Sequence, residues 1–183
     1  MVLGVDAVIL AGGFGTRMGD LSKDKPKPML EVAGKPILWH QMRVFARYGV
    51  ENVYLCTGHL SNVISDYFGD GTDVGLNIIY SVEERPLGTA GCLKPLEKRL
   101  SDDFFVVNGD AMFDMDLKRL NDYHLEKESD ATLVAHPNSH PYDSDLLDAD
   151  DEGRITGFHP RGRPTDRYYR NLVVAGLYLL SKK

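Results

Sequence analysis

The sequence predicts an α/β fold built on a parallel sheet. Three observations carry this. Apolar runs rich in β-branched or aromatic residues recur at 8–10, 52–56, 76–82 and 104–107. Between them, apolar residues fall at helical spacing, as at Leu38, Met42, Phe45, Ala46 and Gly49. The first run stops at Gly12, Gly13 and Gly15, where a strand would give way to a tight loop. Strands alternating with helices at this spacing make βαβ units, whose strands run parallel.

Taken in order, 8–10 is a buried strand. Pro36 suits the first turn of a helix that Gly49 stops; Trp39 and His40 lie off its apolar stripe and are expected to pack half-exposed. A second strand at 52–56 leads through Thr57-Gly58-His59 to a helix capped by Ser61, with Val63, Ile64, Tyr67 and Phe68 as its stripe. After the turn at 69–72 comes a third strand, 76–82. The small residues from Gly88 to Gly91 open a helix that Pro95 should break. The cleanest buried strand, 104–107, ends at Asn108-Gly109-Asp110, and Asp116 caps a helix through Leu117, Leu120 and Tyr123. A strand at 129–136, a hairpin over 146–158 turning at Asp151-Glu152-Gly153, a polar loop and a last strand at 172–180 complete the chain.

Bulk properties narrow the function. The 183 residues suit one domain over 1–183, with 43% apolar and 26% charged residues. No apolar run approaches the ~20 residues of a membrane helix, and the start lacks a signal-peptide pattern. Cys56 and Cys92 lack metal-type spacing and read as buried reduced thiols, which fits a cytoplasmic protein. His136 and His140 lie among prolines, a poor setting for shared metal ligation. The net charge of −6 argues against non-specific nucleic-acid binding, whereas Arg17, Lys23, Lys25 and Lys27 make one segment locally basic. That balance suits a small anionic ligand.

The chemistry-bearing stretch is Val8-Ile9-Leu10-Ala11-Gly12-Gly13-Phe14-Gly15-Thr16-Arg17-Met18, continued by Lys25-Pro26-Lys27-Pro28-Met29-Leu30. Glycines after a strand let main-chain N–H groups approach a phosphate. Arg17 can fork across two phosphate oxygens, and Lys27 adds a compact charge. The plain alternative is a tight turn with two solvated cations. A P-loop is excluded, since Thr16-Arg17 follows Gly15, and so is a dinucleotide fingerprint, since residue 18 is Met. The latter also counts against a nicotinamide-dependent oxidoreductase.

Leu10-Ala11-Gly12-Gly13-x-Gly15-Thr16-Arg17 with Pro26-Lys27-Pro28-Met29 resembles the signature of sugar-1-phosphate nucleotidylyltransferases, or nucleotide-sugar pyrophosphorylases. The likeness continues through Pro86-Leu87-Gly88-Thr89-Ala90-Gly91 and Asn108-Gly109-Asp110, and more weakly to Tyr178. It implies a Rossmann-like three-layer α/β/α sandwich with a mostly parallel mixed sheet, of the nucleotide-diphospho-sugar transferase type. It implies that a sugar 1-phosphate oxygen attacks the α-phosphorus of a nucleoside triphosphate in line, releasing pyrophosphate in a step of nucleotide-sugar and polysaccharide biosynthesis.

The resemblance also implies residue roles. Leu10, Ala11, Gly12, Gly13, Gly15 and Thr16 would hold the triphosphate, with Pro86, Gly88 and Thr89 against base and ribose. Arg17 would draw charge off the leaving pyrophosphate, Lys27 would bridge phosphates at the reacting centre, and Asp110 would carry Mg2+. Relatives place Glu-Lys-Pro before the last strands, its Lys on the sugar phosphate. Here 158–164 reads Phe-His-Pro-Arg-Gly-Arg-Pro, so Arg161 or Arg163 is expected in that role, with Gly176 beside the sugar. Val174 stands where relatives have an Asn, and their second metal-binding Asp falls beyond residue 183, so a missing C-terminal segment is expected. The runs 66–70 and 80–89 resemble heptose- and mannose-1-phosphate guanylyltransferases, whereas 34–40 resembles a glucose-1-phosphate cytidylyltransferase; guanylyl transfer is the favoured expectation. Uridylyl- and thymidylyltransferases of the family remain alternatives, as does a non-catalytic nucleotide-sugar-binding domain, homo-oligomeric or fused to a partner enzyme.

Overall fold

The computed structural model describes residues 3–13, 25–83, 85, 87–164 and 166–182. The chain divides into two compact units: Met1–Thr132 with Tyr178–Lys183, and Leu133–Leu177.

The first unit is built on four parallel strands: β1 (Asp6–Leu10), β4 (Asn52–Thr57), β5 (Asn77–Val82) and β6 (Asp103–Asn108), in the spatial order β5-β4-β1-β6. β1 is central, and Ala7, Val8 and Ile9 are fully buried, as a strand covered on both faces must be. Its register sets Leu10 beside both Cys56 and Asn108, and Cys56 beside Ser81, so all four strands end along one edge.

Successive side chains alternate across the sheet. On one face Val8, Tyr54, Cys56, Phe104 and Val106 pack with Cys92, Leu96 and Leu100 from the segment after β5. On the other, Phe105 meets Phe45 of α1 (Ile37–Arg47) with ring centroids 5.9 Å apart. Helical segments therefore cover both faces, the three-layer arrangement expected. Each fully buried side chain of Ile9, Phe45 or Phe105 size contributes about 1.5–3 kcal/mol by leaving water.

Helix α1 buries Leu38, Gln41, Met42, Val44 and Phe45, a stripe rotated from the expected one, because Gln41 and Val44 point inward and Ala46 does not. Trp39 and His40 are half-buried, as expected. Pro36 is the cap of α1 rather than a first-turn residue. It ends a hairpin, β2 (Glu31–Val32) and β3 (Lys35–Pro36), whose turn residues Ala33 and Gly34 both have positive φ. Helix α2 (Ser61–Phe68) starts on Ser61 without a side-chain cap, because Leu60 takes the left-handed cap position expected of Ser61. Helix α3 (Gly88–Gly91) is one turn, separated from a 3-10 turn at Lys94–Leu96; Pro95 marks the break. Helix α4 (Leu117–Glu126) is capped by Asp116, whose side chain accepts from Arg119 N at 3.1 Å. Its His124, 1% exposed, bonds Thr132 Oγ1 (2.8 Å) and Ser181 Oγ (3.0 Å).

In the second unit, β8 (Leu146–Ala149) pairs antiparallel with β9 (Ile155–His159), forming the expected hairpin, and Leu146 pairs with Val173 of β10 (Val173–Ser181). Strands β7 (Ala131–His136) and β10 each begin in one unit and finish in the other. The sheet contains both parallel and antiparallel pairs and is therefore mixed, as expected. Among the described residues no helix is long and apolar enough to cross a membrane.

Candidate active site

The common edge where the parallel strands end is where ligands bind in open α/β sheets. Ala11 N donates to Cys56 O at 2.7 Å, tying the end of β1 to β4. A Cβ on Gly12 would lie 3.3 Å from Glu83 Oε1, and one on Gly58 would lie 3.1 Å from Gly12 O. The two glycines let these strand ends touch. A Cβ on Gly13 would meet nothing within 4 Å among the described residues. Gly15, Thr16, Arg17 and Pro86 lie outside the described residues, as does the side chain of Thr89.

Lys27 sits on a 3-10 turn, Lys27–Met29, that prolines on both sides hold in shape. Pro28 and Met29 are buried and anchor it. Met29 N donates to Pro26 O (2.8 Å) and Leu30 N to Lys27 O (3.0 Å). The ammonium lies 4.0 Å from Asp110 Oδ2, with the side chains 25% and 55% exposed. An ion pair this open contributes about 0–1 kcal/mol, too little to explain the placement by stability. The structure thus brings together two residues that lie 83 positions apart, for which the resemblance implies phosphate and metal roles.

Asp110 is held by its backbone. Gly109 N donates to Leu10 O at 2.9 Å, and Ala111 N closes the turn onto Asn108 O at 3.0 Å. A Cβ on Gly109 would sit 2.9 Å from both Leu10 O and Pro28 Cγ. Gly109 is therefore the joint between the end of β1, the Lys27 turn and the end of β6. Among the described residues no group of three or more His, Cys, Asp or Glu could hold a metal. Magnesium does not need one, since it commonly binds through one or two carboxylates plus substrate phosphates and water. A half-exposed carboxylate beside an ammonium and a glycine loop fits an ion that arrives with a triphosphate.

Glu83, left without a role by reading the sequence, lies at the same strand ends. It follows β5, donates its backbone N–H to Thr57 O (2.7 Å) and accepts from Leu87 N on Oε2 (3.0 Å). Leu87 precedes α3, where Gly88 has φ +74. One carboxylate thereby lies against Gly12 and fixes the entry to the Gly88 turn. The available signal was its place after a strand, the same as that of Asp110. Beneath it, the Cys56 thiol is pushed well above its ordinary range by its contact with Cys92, by burial and by the Glu83 charge. Both cysteines are buried and reduced, as expected.

The remaining expected residues lie in the second unit. Arg161 is exposed, and its backbone N–H donates to Asp145 Oδ1 at 2.9 Å. The Arg163 guanidinium donates to the carbonyls of Ser144 (2.6 Å), Pro160 (3.3 Å) and Pro141 and stacks on Tyr169. Gly176 is buried within β10 at φ +76.

A family model described as nucleotidyl transferase matches residues 6–183. The mannose-1-phosphate guanylyltransferase of Mycobacterium tuberculosis is 38% identical over 181 residues, which is 97% of this chain and 49% of that protein. The D-glycero-alpha-D-manno-heptose 1-phosphate guanylyltransferase of Campylobacter jejuni is 31% identical over 179 residues, 97% of this chain and 76% of that one. The crystal structure of HddC from Yersinia pseudotuberculosis complexed with GMP-PN superposes with a TM-score of 0.80 at 30% identity, over 97% of this chain and 77% of that one. The chain spans about half the length of the mannose-1-phosphate relatives it matches.

Proposed function

The chain belongs to the nucleotidyl transferase family, and from that premise we propose that it joins a sugar 1-phosphate to a nucleoside triphosphate, releasing pyrophosphate. Guanylyl transfer to mannose or heptose 1-phosphate is the favoured form, supported by the names of the relatives at 31–38% identity. The observation that carries the reading is the meeting of Lys27, Asp110 and the glycine-bearing end of β1 at one sheet edge. Although the Ala11 N–H is already taken by Cys56 O, a cation and a carboxylate beside a glycine turn are what phosphoryl chemistry asks of a protein. It needs positioning and charge stabilisation rather than a protein nucleophile.

In this reading Leu10, Ala11, Gly12, Gly13, Gly15 and Thr16 line the triphosphate, and Pro86, Gly88 and Thr89 take base and ribose. Arg17 stabilises the charge gathering on the leaving pyrophosphate. Lys27 bridges phosphates beside the reacting phosphorus. Arg161, with Arg163 and Gly176, receives the sugar phosphate; Arg161 is the more exposed of the two arginines. Asp110 holds Mg2+, which supplies Lewis-acid neutralisation of phosphate charge. A Glu83 carboxylate beside the Gly88 turn supports guanine, whose N1–H and N2–H are adjacent donors. The protein works in the cytoplasm, on small-molecule substrates rather than nucleic acid.

Pyrophosphate release from each of GTP, CTP, UTP and dTTP, with mannose or heptose 1-phosphate and Mg2+, tests the proposal. Turnover is expected with GTP. Arg17→Ala or Lys27→Ala should lower it by about 10²–10³-fold. Nucleotide binding without turnover on any sugar phosphate would assign the chain to the non-catalytic class instead.

A further inference from the structure

Asp110 directs its carboxylate through a turn, so whatever shapes that turn aims the ligand. The turn has one internal bond, Ala111 N to Asn108 O. A second tie comes from another element. Gln41, on α1, donates from Nε2 to Asn108 O (2.9 Å) and to Ala111 O (2.6 Å). A single amide group thus spans the first and last carbonyls of the turn and brackets Asp110.

The burial of Gln41 makes this costly. It is 1% exposed, and its Oε1 is buried without a hydrogen-bond partner among the described residues. An unsatisfied buried acceptor costs about 1–3 kcal/mol, which Leu or Met at the same helical position would not carry. The orientation is forced, since both facing groups are carbonyls that only accept and only the amide nitrogen can meet them. The helix beneath is firmly seated, with Leu38, Met42 and Phe45 fully buried on the sheet. A rigid helix therefore carries two donors to the one turn that presents the metal-binding candidate.

We propose that Gln41 is a positioning residue for the Asp110 carboxylate, its amide holding the 108–111 turn in the shape that receives the divalent cation of the bound triphosphate. This rests on the reading of Asp110 as that cation's ligand.

The test compares GTP affinity with Mn2+ and with EDTA, by calorimetry, in the whole chain and in Gln41→Leu, Gln41→Met and Asp110→Asn, each checked for a cooperative melt. The ratio of the two dissociation constants isolates the metal's contribution, which a merely structural defect leaves alone. In Gln41→Leu and Gln41→Met the ratio should fall by about 10–100-fold, with metal-free GTP binding unchanged. Asp110→Asn should collapse the ratio as well. An unchanged ratio in a folded Gln41 variant, where Asp110→Asn has lost it, overturns the proposal. Parallel loss of both affinities, or failure of both Gln41 variants to fold, overturns it too, by making Gln41 a plain structural residue. An unchanged ratio in Asp110→Asn, or no GTP binding by the unmodified chain, removes the reading beneath it.

Discussion

Gly109 shows how little space the site leaves. An added Cβ would meet a backbone oxygen and a proline ring, neither the far end of a flexible side chain. Something must shift, and what shifts carries Lys27 or Asp110. Gly109→Ala should therefore lower turnover by about 10²-fold, the scale of a 1 Å misplacement, in a steady-state assay. Glu83→Gln should lower kcat/KM for GTP by about tenfold, the worth of one base-edge contact. It should do so with less effect on ATP, because the amide swaps one acceptor oxygen for a donor. Lys27 and Asp110 were singled out from the sequence because each sits in a short motif that resembles the family's, and the structure places the two side chains 4.0 Å apart. Glu83 and Gln41 were not. Their roles depend on partners brought near by folding, as with Gln41 and Asn108, 67 residues apart.

At the level of elements, apolar runs located the four parallel strands of the first unit; burial on both faces makes the run continuous in β1, β4 and β6, whereas β5, at the sheet edge, is only partly buried. The hairpin at Glu31–Pro36 was not read from the sequence, because strands of two residues have no room for a period, and it is set instead by left-handed Ala33 and Gly34. The single turn at Gly88–Gly91 was read from its small residues rather than from a period. Caps were legible only where the side chain does the capping. Asp116 performs as its residue type suggests, whereas Leu60 takes the place expected of Ser61. Asp116→Ala should destabilise the protein by about 1 kcal/mol, read from chemical denaturation, because Arg119 N loses its acceptor at the start of α4.

At the scale of the molecule, the order β5-β4-β1-β6 puts the glycine loop on the central strand, with Asp110 after one neighbouring strand and the Gly58 turn after the other. The strand–helix alternation predicted a parallel sheet with the glycine turn at the end of its first strand, but the order of the strands was not read from it. Nor was the division into two compact units. Leu133–Leu177 has no linker-like composition at its ends, because both boundaries fall inside strands, within β7 and within β10. Anyone recombining this chain with a relative should therefore avoid those two points. A crossover at 132 or 178 would splice halves of strands from different parents, whereas one in the turn at 127–130 and another after Ser181 would transplant β7 and β10 whole.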